Sequence, residues 1–214
     1  MMHTRVFPIA ATAVLAACLS PLGGCRVTPD STAEARGDLA DYNARLAEAE
    51  RLAGEAQKAM NAGDDDRAIS LYRASIDASG DFPDVWNNLG LLLLKRGDLG
   101  PARSAFARAA ELDPTDPRAY YNMGVTNLRA QWAEDAIEDF KKALDISPNY
   151  LPALRGAIQA ADLLGRAEYE DLDRVKRALL AERDERWRAF FERQRYLIQS
   201  RLNSAKRRND NSPD

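Results

Sequence analysis

Histidine and cysteine are almost missing from this 214-residue chain, and the few that occur lie near its N-terminus. They are His3, Cys18 and Cys25, and neither residue type occurs from Arg26 to the end. Zinc sites, cysteine–histidine nucleophiles and serine–histidine–aspartate triads need at least one of them, so the greater part of the chain excludes these sites. Disulfide bonds are excluded there as well. We therefore expect a protein that is not an enzyme and that binds no metal and no cofactor.

The chain also has few aromatic residues and only a small net charge. Aromatic side chains make up 7% of the chain, and 30 basic residues against 33 acidic ones leave a net charge of −3. Such a weak field gives no reason to expect a nucleic-acid partner. The ten prolines fall between apolar runs rich in alanine and leucine, which is typical of a helical protein with one domain-sized core.

The N-terminal segment has one basic residue, Arg5, followed by an apolar run and small residues before a cysteine. That order is typical of a secretory signal. It resembles a bacterial lipoprotein signal, in which leucine, two small residues and cysteine mark the position that is cleaved and acylated. Two such motifs occur, LAAC ending at Cys18 and LGGC ending at Cys25. We favour Cys25, because cleavage there leaves no spare thiol in an oxidising compartment. Cys18 is one alternative, and an uncleaved anchor or a plain signal is another.

This prediction divides the N-terminus into a signal peptide over residues 1–24 and a flexible polar tether over residues 25–37. Acyl chains on the cysteine would hold the protein at a membrane surface without spanning the membrane. We therefore expect an exported, membrane-anchored lipoprotein of the cell envelope. In an organism with two membranes, Arg26 after the acylated cysteine indicates the outer membrane, by the rule that such lipoproteins follow.

The central part of the chain repeats itself with a period of 34 residues. Nine positions align after that shift: Trp86, Asn88, Leu89, Gly90, Ala102, Phe106, Ala109, Leu112 and Pro114 with Tyr120, Asn122, Met123, Gly124, Ala136, Phe140, Ala143, Ile146 and Pro148. Within each unit the apolar residues have helical spacing, and breaks containing glycine, aspartate or proline separate two helices. We expect helix hairpins over residues 49–82, 83–116 and 117–150, with a partial fourth over 151–165, in a domain of residues 38–165.

These residues resemble the tetratricopeptide repeat family, whose pattern is Trp-x2-Leu-Gly-x2-Tyr followed by Ala, Phe, Ala and Pro. The matching residues are Trp86, Leu89, Gly90, Ala102, Phe106, Ala109 and Pro114. Their counterparts in the next unit are Tyr120, Gly124, Ala136, Phe140, Ala143 and Pro148. Leu93 and Asn127 depart from the pattern, because tyrosine is typical at both. The resemblance implies an all-α fold, a right-handed α-solenoid of helix hairpins whose work is to bind other proteins.

Gly90 lies inside a leucine-rich helix, where glycine costs about 1 kcal/mol relative to alanine. The resemblance implies that Gly90 and Ala102 lie where the two helices of a hairpin approach most closely. A side chain at Gly90 would push the two helices apart, so close packing offsets the cost. We expect Gly90 to be structural, since nothing near it resembles a phosphate-binding loop.

The resemblance also implies that the first helices of the hairpins line a concave groove. The groove positions are then Asp84, Asn87, Asn88, Leu91, Lys95, Arg118, Tyr121, Asn122, Val125, Arg129, Arg155 and Gln159. Amide and guanidinium groups bind an extended peptide backbone or a carboxylate. Gln57, Asn88 and Arg118 imitate part of the carboxylate clamp of some family members, with Ala53 where lysine is wanted. The alternative interpretation is that Asn88 and Asn122 are consensus residues whatever the ligand.

The C-terminal region is predicted to be one long helix over residues 166–202, followed by a disordered tail over residues 203–214. The helix carries an apolar stripe, interrupted at residues 183–186, that would cap the last repeat. Beyond Trp187 the stripe is long enough to bind a partner or a second copy of the chain. Residues 166–208 hold 13 basic and 8 acidic residues, so they suit an acidic partner or anionic lipid.

We therefore predict a lipid-tethered helical repeat protein whose function is binding. The leading hypothesis is a non-catalytic adaptor or scaffold of the bacterial cell envelope that holds a partner protein or peptide in its groove. The alternative is a structural envelope protein that forms a homodimer or larger assembly through its C-terminal helix.

Overall fold

The computed structural model describes residues 29–79, 82–165 and 169–210. The predicted signal peptide and both cysteines lie outside these residues, as does the end of the predicted tail. The chain divides into two compact units, Met1–Ala44 and Arg45–Asp214. In the first unit the structure describes a single stretch of helix. The groove and the C-terminal helices belong to the second.

Nine α-helices and no strands make up the described residues. They are α1 (Pro29–Asn61), α2 (Asp65–Ala78), α3 (Pro83–Arg96), α4 (Leu99–Leu112), α5 (Pro117–Arg129), α6 (Ala133–Ile146), α7 (Leu151–Leu164), α8 (Tyr169–Ala181) and α9 (Glu185–Asp210). The prediction of an all-α fold is confirmed. Within this described part, no helix combines the length and the apolar content needed to cross a membrane.

The 34-residue period sets where the helices begin. The first helices α3, α5 and α7 start at Pro83, Pro117 and Leu151, and α9 starts at Glu185, again 34 residues on. The predicted partial fourth unit is therefore wrong, because α7 and α8 form a complete hairpin. The sequence hid this hairpin because Glu170 replaces the small residue of the earlier second helices, Ala102 and Ala136.

Phenylalanine rings fill the space that the glycines leave. A Cβ atom on Gly90 would lie 2.6 Å from the ring of Phe106, and one on Gly124 would lie 2.6 Å from the ring of Phe140. A Cβ on Gly156 would lie 2.4 Å from the same Phe140 ring. The glycines are structural, as the repeat predicts, but the atoms that exclude a side chain are those of a ring rather than of Ala102.

The turn inside each hairpin needs one left-handed residue, and it recurs with the same period. Gly63, Gly97 and Gly165 have φ of 79°, 90° and 63°. Glycine adopts this conformation without the steric cost that a Cβ adds. In the third hairpin Gln131 takes the position with φ of 64°, the one non-glycine residue with positive φ in the described part of the chain.

The predicted tether over residues 25–37 is wrong where the structure describes it, because α1 begins at Pro29. Proline suits the first turn of a helix, where its missing N–H has no intrahelical partner to lose. The alanine, glutamate and arginine residues that follow favour continued helix.

The prediction of one C-terminal helix over residues 166–202 is also wrong, and so is the predicted disordered tail where the structure describes it, over residues 203–210. Helices α8 and α9 are separated at residues 182–184, and α9 continues to Asp210 through residues that favour helix. The break has a local cause, because the Glu182 carboxylate accepts hydrogen bonds from the N–H groups of Arg183 and Asp184, both at 2.9 Å. Asp184 then caps α9 by accepting from the N–H of Arg186 at 2.9 Å.

The apolar stripe of the C-terminal region packs within the chain. Phe191 and Ile198 of α9 are completely or almost completely buried, in one core cluster with Leu172 and Val175 of α8 and Leu154 of α7. Helix α9 therefore covers the last hairpin, as a solenoid cap does.

Candidate peptide-binding groove

The first helices of successive hairpins lie side by side, because α5 contacts both α3 and α7. We call the surface formed by α3, α5, α7 and the start of α9 the groove. Residues 34 positions apart occupy equivalent places on it, which gives four columns. These columns are Asn87, Tyr121, Arg155; Asn88, Asn122, Gly156; Leu91, Val125, Gln159; and Lys95, Arg129, Leu163.

The predicted groove asparagines are largely engaged with one another. Asn122 donates from Nδ2 to Oδ1 of Asn87 at 2.8 Å, and both side chains are buried. Asn88 donates from Nδ2 to Oε1 of Gln57 at 3.1 Å. These side-chain hydrogen bonds join neighbouring first helices, which is consistent with the alternative interpretation that Asn88 and Asn122 are consensus residues whatever the ligand.

Two of the predicted basic residues of the groove, Lys95 and Arg118, form ion pairs within the chain. Lys95 forms an ion pair with Asp65 at 2.5 Å. Arg118, the basic member of the imitated carboxylate clamp, pairs with Asp84 at 2.9 Å and Asp116 at 2.7 Å. A ligand carboxylate would have to compete with these two aspartates, so this end of the groove is poorly suited to clamp one.

The C-terminal half of the groove contains a partly open cleft of about 480 Å³ between α5, α7 and α9. Its lining residues are Tyr121, Val125, Leu128, Arg129, Phe140, Pro152, Arg155, Gly156, Gln159, Leu163 and Trp187. Most of these side chains are apolar or aromatic. Pockets of this size and character are typical of ligand sites.

Tyr121 forms one wall of the cleft and is held by other rings. Its ring centroid lies 5.9 Å from that of Phe140 and 5.7 Å from that of Tyr150, the latter edge to face. Burial raises the pKa of Tyr121, while the nearby Arg155 acts in the opposite direction. Tyr121 therefore stays a neutral phenol at physiological pH and presents mainly apolar area.

Arg155 links the cleft to the break between α8 and α9. It donates from Nε and Nη2 to the two carboxylate oxygens of Glu182, both at 2.7 Å, and its guanidinium lies 5.0 Å from the centroid of the Trp187 ring. Desolvation acts to raise the pKa of Glu182, but the N–H groups of Asp184 and Arg183 and the Arg155 guanidinium together lower it. Glu182 is therefore ionised at neutral pH, and the pair holds the start of α9 against the groove.

Gly156 and Trp187 are cleft residues that the sequence interpretation missed. Gly156 stands where the two preceding units have Asn88 and Asn122, so no amide lies at this point and the ring of Phe140 lines the cleft instead. Alignment of the units with the 34-residue shift is the sequence signal that identifies Gly156. Trp187 had no such signal, because its place depends on the break that starts α9 at Glu185.

A buried polar network lies behind the groove. Asn127, at a position where the family pattern has tyrosine, donates from Nδ2 to Oδ2 of Asp139 at 2.8 Å and accepts from Nε of Arg103 at 3.2 Å. Asn127 and Asp139 are both buried, and burial raises the pKa of Asp139 even though Lys142 and Arg103 act to lower it. This network joins α4, α5 and α6 and stiffens the hairpin that carries Tyr121.

Comparison with known proteins identifies the repeats. Two family models described as tetratricopeptide repeat match residues 54–117 and 117–150. Similar curated proteins include protein O-mannosyl-transferase TMTC3 of Homo sapiens, 30% identical over 42% of this chain and 10% of that protein. BBSome complex member BBS4 of Mus musculus is 28% identical over 54% of this chain and 21% of its own length. The chain thus spans less than a third of these relatives.

Known structures agree on the fold. MamA of Desulfovibrio magneticus RS-1 superposes with a TM-score of 0.57 and 20% identity, over 64% of this chain and 77% of that one. The first TPR domain of Spaghetti (RPAP3), bound to the HSP90 peptide SRMEEVD, has a TM-score of 0.54 and 23% identity, over 56% of this chain and 95% of that one. Residues 54–150 of this chain are therefore tetratricopeptide repeats, set in the all-α fold of that repeat.

Proposed function

We propose that this protein is a non-catalytic adaptor or scaffold that binds a partner protein or peptide in its groove. The observation that carries the proposal is the apolar cleft of about 480 Å³ between α5, α7 and α9, which has guanidinium groups at its edge. Contact area with a few placed hydrogen-bond donors is what recognition of another protein requires. The RPAP3 domain, which shares this fold, is bound to a peptide and supports the proposal.

In-cell crosslinking tests this function. A photo-crosslinking residue at Gln159, which is exposed and lines the cleft, is expected to trap one discrete protein that mass spectrometry identifies. Asn122 is unsuitable for the probe because it is buried. The matched control is the same probe at Lys141, exposed on the second helix α6. The same proteins trapped from both positions, or none from Gln159, would contradict binding in the groove.

We also propose that the chain is exported and tethered in the cell envelope by a lipid on Cys25, with Cys18 as the alternative. The LGGC motif and the polar sequence after it support this proposal. Cells grown with an alkyne fatty acid are expected to label the wild-type protein and C18A but not C25A. Loss of label in C18A alone would move the anchor to Cys18, and absence of label in the wild-type protein would exclude lipidation.

Self-association through the C-terminal helix has less support than groove binding. The apolar residues that predicted it, Phe191 and Ile198 among them, pack against α7 and α8 of the same chain. On the outer side of α9 the large exposed apolar residue is Tyr196. Homodimer formation stays a prediction, and sedimentation of the purified protein over a range of concentrations would test it.

A further inference from the structure

Two of the four columns of the groove change chemistry at α7, whereas the other two hold Arg155 and Gln159 there. In α3 and α5 the two changing columns hold amides and basic residues, such as Asn88, Asn122 and Lys95. In α7 the same columns hold Gly156 and Leu163. The amides are engaged within the chain, whereas at Gly156 the ring of Phe140 takes the place of a side chain and lines the cleft. The apolar surface of the groove that is open to a ligand therefore lies at α7.

We infer that this cleft selects a partner segment in which a large apolar side chain stands next to an acidic residue. The inference rests on the proposed function and specifies its ligand. It differs from a carboxylate clamp, because the apolar side chain of the partner makes the main contact and the acidic residue only orients the bound segment.

The apolar half of this inference follows from the walls of the cleft. The cleft is lined by Tyr121, Val125 and Leu128 from α5, by Leu163 from α7 and by Trp187 from α9. Leu163 is 68% exposed, in a column where the two previous hairpins have the basic residues Lys95 and Arg129. An apolar side chain from a partner would remove this surface from water, which is the main favourable contribution to such contacts. The volume suits one large side chain with its neighbouring backbone.

The ring of Phe140, which lines the cleft, excludes a side chain at position 156. It lies so close to Gly156 that a Cβ atom there would be 2.4 Å from Cζ. An asparagine such as those of the previous hairpins cannot occupy this place unless the ring moves. The missing side chain is therefore enforced by the packing behind it, and the cleft is preformed.

The acidic half of the inference follows from the two arginines that line the cleft. Arg129 uses Nη1 to donate to the carbonyl oxygen of Leu94 at 2.9 Å, and its other donors face no partner among the described residues. Glu182 compensates the charge of Arg155 but binds Nε and Nη2 only. The cleft thus keeps one uncompensated positive charge and a further guanidinium donor, which favour a carboxylate over an ammonium group.

A peptide selection tests the inference directly. A phage-displayed library of random twelve-residue peptides is selected on the purified protein. The enriched sequences are expected to share a leucine or an aromatic residue within two positions of aspartate or glutamate. The substitution L163D, at an exposed position, is expected to weaken the selected peptides about tenfold or more. The matched control is L180D, at a site on α8 that is 89% exposed, with an expected change below about twofold.

Two further measurements separate the parts of the inference. Replacing the acidic residue of a selected peptide by its amide is expected to weaken binding about fivefold at low salt and less at high salt. Circular dichroism melts establish that L163D and L180D are folded. Enrichment of basic peptides, of peptides without an apolar anchor, or of none at all would overturn the inference.

The outcomes also distinguish this inference from the proposed function. Peptides that lose binding in R118E, a groove position that does not line the cleft, but not in L163D would overturn the inference and leave groove binding intact. Peptides indifferent to both substitutions would contradict both. Crosslinking from Gln159 in cells tests groove binding independently of any selected peptide.

Discussion

The side chains of Arg155 and Glu182 form a two-point ion pair, with Nε and Nη2 each 2.7 Å from a carboxylate oxygen. Arg155 lies in the groove and Glu182 in the break between α8 and α9. The same carboxylate accepts hydrogen bonds from the N–H groups of Arg183 and Asp184, which follow the end of α8. One residue therefore both separates α8 from α9 and connects this region to the repeats. The side chain of Glu182 is only 2% exposed, which makes its charge dependent on these partners.

Glu182→Gln is expected to lower the free energy of unfolding by about 2 kcal/mol at pH 7, because it leaves Arg155 without its charged partner. The pKa of Glu182 is lowered in the folded protein. Its contribution is therefore present above the unfolded pKa of about 4.3 and is lost as the pH falls through the folded value. Urea unfolding of both proteins between pH 3 and 7 measures this, and their difference should shrink on acidification. The control is Glu185→Gln, which is exposed in the first turn of α9. Equal effects of the two substitutions at pH 7 would contradict the prediction.

Gly124→Ala is expected to destabilise the protein by about 1–3 kcal/mol, because the new methyl group overlaps the ring of Phe140. The matched control is Gly54→Ala, in α1, where a Cβ meets no atom within 4 Å. There alanine is expected to stabilise by about 0.5–1 kcal/mol through its helix propensity. Thermal and urea melts measure both. A stabilising Gly124→Ala would show that the ring moves aside without cost.

Gln131→Gly is expected to stabilise the protein by up to about 1 kcal/mol. Gln131 holds φ of 64° in a turn where the other three hairpins have glycine, and a Cβ is strained in that conformation. The same substitution at Gln159, inside α7, is expected to cost about 1 kcal/mol. Opposite signs from one chemical change would establish backbone conformation as the cause. A destabilising Gln131→Gly would mean that the glutamine side chain contributes more to stability than the strained backbone of the turn costs.

Asp139→Asn is expected to stabilise the protein by about 1 kcal/mol at pH 7, because it removes a buried charge and keeps an acceptor for Asn127. Burial raises the pKa of Asp139 above its usual 3.8. Wild-type stability at this site is therefore greatest below that value and is lost as the pH rises through the folded pKa. The advantage of Asp139→Asn should vanish near pH 3. Glu138→Gln, exposed on the same helix, is the control. An advantage that does not change with pH would exclude ionisation as its source.

The repeat was predictable because residues of similar size recur at matched positions of each unit. Glycine and phenylalanine at matched places report the close approach of two helices, and Gly90 with Phe106 shows that contact in the structure. The fourth hairpin escaped because Glu170 and Arg174 occupy the places of an alanine and a phenylalanine in α8. The positions where α7 and α9 start follow the 34-residue period, whereas the side chains of α8 do not. Size patterns therefore underestimate a repeat array at its end, where the last helices pack against a cap.

The groove was predictable only in outline. Helical spacing places Asn87, Asn122 and Arg118 on the first helices, but it does not say which groups they bond. The amides pair across helices and Arg118 pairs with Asp84, both through contacts between units of the repeat. The cleft itself arises from an absent side chain at Gly156 and from the helix start beside Trp187. Whether a groove side chain is available for a ligand depends on its hydrogen-bond and ion-pair partners, and residue spacing does not predict these partners.

The ring of Phe140 occupies the place of a side chain on two successive first helices, at Gly124 and at Gly156. Neither α5 nor α7 separates from its neighbour without losing contact with the same ring. In a stack whose units contact only their neighbours, such a shared ring raises the coupling energy between two units. The third and fourth hairpins are therefore expected to melt in a single cooperative step, and the cleft between them to exist as a whole or not at all.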